Sequence, residues 1–272
     1  MKTIITALLL LLTLNAYSSN RAANRVLEEG KLLYRLEKAS WYGTDDFLER
    51  FPHKRDKVGG YLSYQNDNGN VINIFYSNED PSKIIVRYYF DNTPEKSPIE
   101  IDTINSFASN LETELIKMRI EAVNRVTSNI DNFYTFYQNT NLNFIPIIKN
   151  RQRKVFIITA PKVDNVVLIG NDYLLTFDRR NRIKKEEKLH NSLLEFPYSS
   201  GDPDNKIKST HHSHVLSDII TSTDICTLLL YRDFVEWKTH YVISEKYVSI
   251  FNLDSASLMV LTRKAWDRMT NN

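Results

Sequence analysis

The first part of the chain alternates between helical and strand-like patterns of apolar residues. Residues 22–38 place apolar or small side chains on one helical face: Ala23, Val26, Leu27, Gly30, Leu33 and Tyr34. Two β-rich runs follow within residues 59–77, and Asn68-Gly69 between them favours a tight hairpin turn. A third strand is predicted over residues 83–90. This half therefore predicts a helix followed by an antiparallel sheet.

A second amphipathic helix is predicted after a loop that contains two prolines. Ser109 and Glu112 have the spacing of a capping box at its start. Its apolar face is formed by Leu111, Leu115, Met118, Ala122, Val126 and Ile130. We expect its charged side chains to face solvent, namely Glu112, Glu114, Lys117, Glu121 and Arg125.

The second half of the chain is rich in predicted strands. They fall in residues 141–150, 153–162 and 166–178, while residues 184–196 fit a helix or a strand. A strand containing three histidines, a helix over about 223–238, a hairpin within 239–253 and a short C-terminal helix complete the pattern. We therefore predict an α+β fold, with a mixed or antiparallel sheet and flanking helices.

The N-terminal residues have the features of a signal peptide. Lys2 precedes an apolar run that ends at Leu14, and Ala16 and Ser18 suit the positions before a cleavage site. We expect residues 1–18 to be removed, which predicts a periplasmic or extracellular protein; a retained membrane anchor is the alternative. No second segment is long and apolar enough to span a bilayer. Two regions are predicted after the signal peptide, 19–132 and 133–272, which could share one core.

Composition excludes several classes of function. The net charge is only +2, and no basic stripe is present, so we expect no nucleic-acid partner. The chain has one cysteine, Cys226, which cannot form an intramolecular disulfide and lies on a predicted apolar helix. A buried and unreactive thiol is the expectation for that residue.

The histidine strand carries the candidate chemistry. His212 and His214 are two residues apart, so their side chains share one face of a strand and His211 points to the other. Asp224, at the start of the following helix, offers a carboxylate as a third ligand. Three such donors with one position left for water form a catalytic zinc site. Thr221 and Asp224 also fit a capping box, which is a purely structural interpretation of the aspartate.

The segment "HSHVLSDIITSTD" resembles the JAMM/MPN metalloprotease signature, which reads H-x-H-P, seven residues, then S-x-x-D. The apolar helix "DICTLLLYRDFVEW" and the hairpin "HYVISEKYVSIF" that follow are also similar to that family. The resemblance implies a JAMM-like C-terminal half with zinc bound by His212, His214 and Asp224. Thr221 would replace the serine that helps to hold the reacting carbonyl oxygen. The implied function is hydrolysis of peptide or isopeptide-type bonds in a peptide or protein substrate.

The chain also departs from the family pattern. Val215 stands in place of the proline, and the spacing from His214 to Asp224 is shorter. The family's general-base glutamate is not located, although Glu186, Glu187 and Glu195 precede the motif. The alternative is therefore a non-catalytic binding or structural protein of the cell envelope. His190 is a candidate ligand or proton carrier, whereas His53 and His240 are expected to be structural or surface residues.

Overall fold

The protein is described from a computed structural model that covers residues 2–104 and 106–270, with side chains from Arg21 onward. Its described helices are α1 (Lys2–Arg50), α2 (Asn110–Ser128), α3 (Ser222–Tyr231) and α4 (Arg263–Thr270), with a 3-10 helix at Pro52–Lys57. The strands of the first half are β1 (Val58–Gln65), β2 (Val71–Ser77), β3 (Ile84–Phe90), β4 (Glu100–Asp102), β5 (Thr140–Lys149), β6 (Gln152–Pro161) and β7 (Val166–Gly170). Those of the second half are β8 (Tyr173–Phe177), β9 (Ile183–Lys188), β10 (Leu193–Pro197), β11 (Ser209–Ser213), β12 (Thr239–Ile243), β13 (Tyr247–Asn252) and β14 (Ser257–Thr262). The predicted α+β class is confirmed.

Helix α1 is longer than the sequence pattern predicts. Its backbone is helical from Lys2 to Arg50, and so includes residues 2–18 of the predicted signal peptide. The side chains of that segment, and Met1, lie outside the described part of the chain, so its export role stays a prediction. Within the described part of the chain, no helix has a stretch long and apolar enough to cross a membrane.

The chain forms two compact units. One comprises residues 1–31, 165–167 and 195–272, and the other comprises 32–164 and 168–194. The predicted division between residues 132 and 133 stays a prediction. The segment 184–196, which fitted a helix or a strand, contains most of β9 and most of β10. Strand β10 pairs with β7 in a two-stranded sheet.

The unit containing residues 32–164 packs helix α2 against two antiparallel sheets. One face of α2, with Leu115 and Ile116, packs on the sheet ordered β1-β2-β3-β4. Another face, with Met118 and Ala122, packs on the sheet ordered β5-β6-β8-β9. The predicted hairpin between β1 and β2 is confirmed, and its Gly69 has the positive φ of +86° that favours glycine.

The capping box of α2 is confirmed, but its glutamate is not on the solvated face. Glu112 is 1% exposed. Its carboxylate accepts hydrogen bonds from the Arg87 guanidinium at 2.8 and 2.9 Å. The prediction of a fully solvated charged face is therefore wrong at this position, because the capping glutamate also neutralises a buried arginine.

The other unit is built on the sheet ordered β11-β12-β13-β14. Strands β11 and β12 are parallel, and the remaining pairs are antiparallel, so the sheet is mixed. A parallel pair needs a crossover connection, and α3 lies within it. All ten residues of α3 are buried, including Cys226, as predicted for that thiol. Strand β14 was not predicted, whereas the C-terminal helix is confirmed as α4.

Candidate metal centre

The parallel pairing of β11 with β12 determines which histidines are buried. Along β11 the side chains alternate between exposed and buried positions. His212 is 5% exposed and His214 is 6% exposed, whereas His211, which precedes them, faces solvent. The two buried rings lie side by side with centroids 4.7 Å apart. The predicted shared face of His212 and His214 is therefore confirmed.

The hydrogen bonds of His214 define its tautomer. Its Nδ1 lies 3.1 Å from the carbonyl oxygen of Ile219 and 2.7 Å from the Ser217 hydroxyl oxygen. The Ser217 hydroxyl donates to the same Ile219 carbonyl at 2.7 Å. Because a carbonyl oxygen only accepts hydrogen bonds, the Nδ1 of His214 carries a proton. In a neutral ring the Nε2 then has a lone pair and can bind a metal ion.

Asp224 brings its carboxylate to both imidazoles from the start of α3. Its Oδ2 lies 3.3 Å from Nε2 of His214, and its Oδ1 lies 3.9 Å from Nε2 of His212. The same carboxylate caps the helix, because Oδ2 accepts from the Thr221 backbone N–H and from its hydroxyl, each at 2.8 Å. The capping and ligand interpretations of Asp224 are thus geometrically compatible, since a carboxylate has several acceptor sites.

A further histidine, which was expected to be structural or on the surface, contacts this group. His240 on β12 is fully buried, and its Nε2 lies 2.7 Å from Nδ1 of His212. Its own Nδ1 lies 2.7 Å from the hydroxyl of Thr210. Burial, with a smaller contribution from the charge of His212, lowers the pKa of His240 to about 3, so its ring is neutral near pH 7. Sequence spacing gave no signal for this contact, because it depends on the parallel register that places Thr210 opposite His240.

Three side chains of this unit converge closely enough to share a cation. One donor atom from each of His212, His214 and Asp224 lies within 4.8 Å of the others. This buried group could bind a metal ion, as the sequence predicted. His190, the other histidine that the sequence offered as a ligand or proton carrier, is buried in the other unit. Nitrogen and oxygen donors of this kind suit zinc and several other divalent transition metals, so the donor set alone does not select one.

Thr221, Glu186 and Glu187, which were candidates for catalytic roles, each contact other side chains of the protein. The Thr221 hydroxyl accepts from the Asp224 backbone N–H at 3.1 Å and donates to its carboxylate, as an N-cap does. Glu186 is bound by Arg125 at 3.0 Å, and Glu187 pairs with Lys185 at 2.7 Å. Glu195 is exposed. None of these three glutamates belongs to the group of His212, His214 and Asp224, and Thr221 acting on a substrate carbonyl stays a prediction.

A cavity borders the candidate metal centre on the side of His214. It has a volume of about 410 Å³ and is lined by His214, Val215, Leu216, Ser217, Asp218, Ser244 and Glu245. Val215 and Leu216 are 76% and 48% exposed. The cavity therefore combines exposed apolar side chains with carboxylates next to a potential metal ligand.

The fold and the site together define an α+β protein with a buried histidine and aspartate group suited to a metal ion. No protein-family model, curated protein or solved structure matches this chain. The resemblance to the JAMM/MPN family therefore stays a prediction that rests on the motif residues.

Proposed function

We propose that this chain is a zinc-dependent hydrolase of peptide or isopeptide-type bonds, with zinc held by His212, His214 and Asp224. The observation that carries the proposal is the orientation of His214. Its Nδ1–H is committed to Ile219, so in a neutral ring the lone pair of Nε2 faces the Asp224 carboxylate at 3.3 Å. A lone pair and a carboxylate repel each other, and a metal cation between them removes this repulsion, as a proton on Nε2 would.

Zinc is the favoured metal because the proposed donors are two imidazoles and one carboxylate. Two histidines and one acidic residue are a common ligand set of catalytic zinc, and the remaining position binds water. Zinc in such a site lowers the pKa of its water to about 7 and polarises a substrate carbonyl. The protein side chains fix the ligand tautomers and hold the carboxylate in place, which the contacts of Ser217, Ile219 and Thr221 support.

The substrate would approach through the cavity beside His214. Its exposed apolar residues suit a peptide backbone or an aliphatic side chain, and Asp218 and Glu245 add negative charge. The signal-peptide features of residues 1–18 support a location of the proposed activity in the periplasm or outside the cell.

The first experiment measures metal content. The purified protein is reconstituted with zinc, dialysed and examined by elemental analysis, and we expect about one zinc per chain. His212→Ala combined with His214→Ala should abolish binding. His211→Ala is the matched control, because His211 is on the same strand but faces solvent. Absence of zinc from the reconstituted wild-type protein, or equal zinc in the double variant, would refute the proposal.

The second experiment measures hydrolysis. Zinc-loaded protein is incubated with a mixture of peptides and isopeptide-linked substrates, and new amino termini and products are identified by mass spectrometry. We expect cleavage that the double histidine variant lacks and that the His211→Ala variant retains.

A non-catalytic envelope protein with a structural metal is the second candidate. The observation that favours it is that Glu186 and Glu187, two candidate bases, are engaged by Arg125 and Lys185. Efficient hydrolysis needs a base within reach of the attacking water. Zinc bound by four protein ligands in X-ray absorption spectra, with no cleavage of any substrate in the mixture, would support this candidate and refute the hydrolase.

A further inference from the structure

Three side chains form a buried hydrogen-bonded chain behind one of the proposed ligands. The Thr210 hydroxyl, the His240 ring and the His212 ring are joined by two contacts of 2.7 Å each. Thr210 is 9% exposed, and His240 and His212 are 0% and 5% exposed. The order of contacts follows from β-sheet geometry, because Thr210 and His212 share one face of β11 and His240 pairs directly with Thr210.

The chain has two possible directions of hydrogen bonding. In the first, Nδ1–H of His212 donates to Nε2 of His240, and Nδ1–H of His240 donates to the oxygen of Thr210. In the second, the Thr210 hydroxyl donates to His240, whose Nε2–H donates to Nδ1 of His212. A neutral imidazole has one N–H, so each direction fixes the tautomers of both rings.

Only the first direction leaves His212 able to bind a metal through the nitrogen that faces Asp224. The Nε2 of His212, which lies 3.9 Å from the carboxylate, then carries the lone pair. In the second direction the same nitrogen carries a proton, which must be lost before it can bind a cation. The direction of the chain therefore decides whether His212 is ready as a ligand.

We propose that Thr210 and His240 form a relay that holds His212 in its metal-binding tautomer, so that His240 is a positioning residue of the metal centre. Nε2 of His240 accepts a hydrogen bond from Nδ1–H of His212, and Nδ1–H of His240 donates a hydrogen bond to the Thr210 oxygen. The threonine hydroxyl completes the relay because it can accept as well as donate. The inference rests on the proposed zinc site, and it assigns a role to two residues outside the ligand set.

The first test compares zinc affinities in competition with a chromophoric chelator. His240→Leu removes the acceptor, and we expect zinc to bind roughly 10- to 100-fold more weakly, the usual loss when a partner of a metal-bound histidine is removed. His240→Gln can accept and donate through its amide and should recover most of that loss. Thr210→Val keeps the size of the side chain and removes the hydroxyl, so we expect a smaller loss of several-fold.

The second test reads the tautomers directly from the ring ¹⁵N chemical shifts of the zinc-free protein, in which no metal fixes the tautomer of His212. We expect Nδ1 of His212 and Nδ1 of His240 to be protonated in the wild type. A merely structural role for His240 would not require this pattern. If either ring shows the opposite tautomer, or if the leucine and valine variants bind zinc as the wild type does, the relay is refuted.

The outcomes of the two proposals are separable. Failure of the wild-type protein to bind zinc would refute the metal site itself. Normal zinc binding by the wild type, its loss in His212→Ala and its full retention in His240→Leu would refute the relay alone. Should His240→Leu fail to fold, which circular dichroism would show, Thr210→Val and the ¹⁵N shifts still decide the question.

Discussion

The clearest prediction of pH-dependent stability concerns Glu37, a glutamate of α1. The residue is 4% exposed, and one of its oxygens accepts a hydrogen bond from the Asn143 side chain at 2.8 Å. Burial raises the pKa of Glu37 to about 7, although Asn143 and the charge of Arg119 act in the opposite direction. The folded protein therefore holds a proton that the unfolded chain loses near the ordinary pKa of 4.5.

The magnitude follows from the difference between these two pKa values. They differ by about 2.5, and each pKa unit corresponds to about 1.4 kcal/mol, which gives about 3 kcal/mol. Below pH 4.5 the carboxyl is protonated in both states and has no effect. Between pH 4.5 and 7 the unfolded state binds fewer protons than the folded state, so stability falls as pH rises. Above pH 7 the full loss of about 3 kcal/mol remains.

Replacing Glu37 by glutamine should remove this loss. We expect Glu37→Gln and the wild type to have similar free energies of unfolding at pH 4, and the variant to be about 3 kcal/mol more stable at pH 8.5. Urea denaturation followed by tryptophan fluorescence measures the difference. Glu49→Gln is the matched control, because Glu49 is exposed on the same helix. A difference that does not change between pH 4 and 8.5 would refute the reasoning.

Three other substitutions test separate parts of the structure by denaturation. Arg87→Ala leaves the buried Glu112 carboxylate without its ion pair, and we expect a loss of about 3–5 kcal/mol. Gly170→Ala should cost about 2 kcal/mol or more, because φ is +109° and a new Cβ would collide with the Ser192 carbonyl. Thr221→Ala removes the N-cap of α3 and should cost about 1 kcal/mol.

Each of these substitutions has a matched control. Arg263→Ala breaks an exposed pair with Asp267 and should change stability by less than about 1 kcal/mol. Gly69→Ala has a positive φ but open space around its Cβ, so it should cost less than the change at Gly170. Thr221→Ser keeps the capping hydroxyl and should be nearly neutral. If a substitution and its control change the free energy of unfolding equally, the contact proposed for that substitution is wrong.

Much of the fold could be predicted from local sequence signals. The Asn68-Gly69 turn and the Ser109 capping box depend on neighbouring residues, and both are confirmed. Local patterns could not give the length of α1 beyond residues 22–38, nor strand β14. Residues 184–196 stayed ambiguous because their many charges obscure the alternation that identifies a strand.

The candidate site was predictable where its residues are close in the sequence. Alternation along a strand was enough to place His212 and His214 on one face, and the Thr221 capping box located Asp224 at the helix start. His240 could not be found in this way, because its contact with His212 comes from the pairing of two strands whose register no local pattern defines. Glu112 was misplaced for the same reason, since its partner Arg87 is distant in sequence.

The three proposed zinc ligands lie within one short segment, from residue 212 to residue 224. Bringing them together closes only a small loop, which costs little chain entropy even before the rest of the unit has formed. Parallel pairing such as that of β11 with β12 forms slowly by comparison. A cation could thus be captured by an incompletely folded chain. It would then stabilise the native protein by less than its affinity for that state implies, because ligand bound to the unfolded ensemble cancels part of the gain.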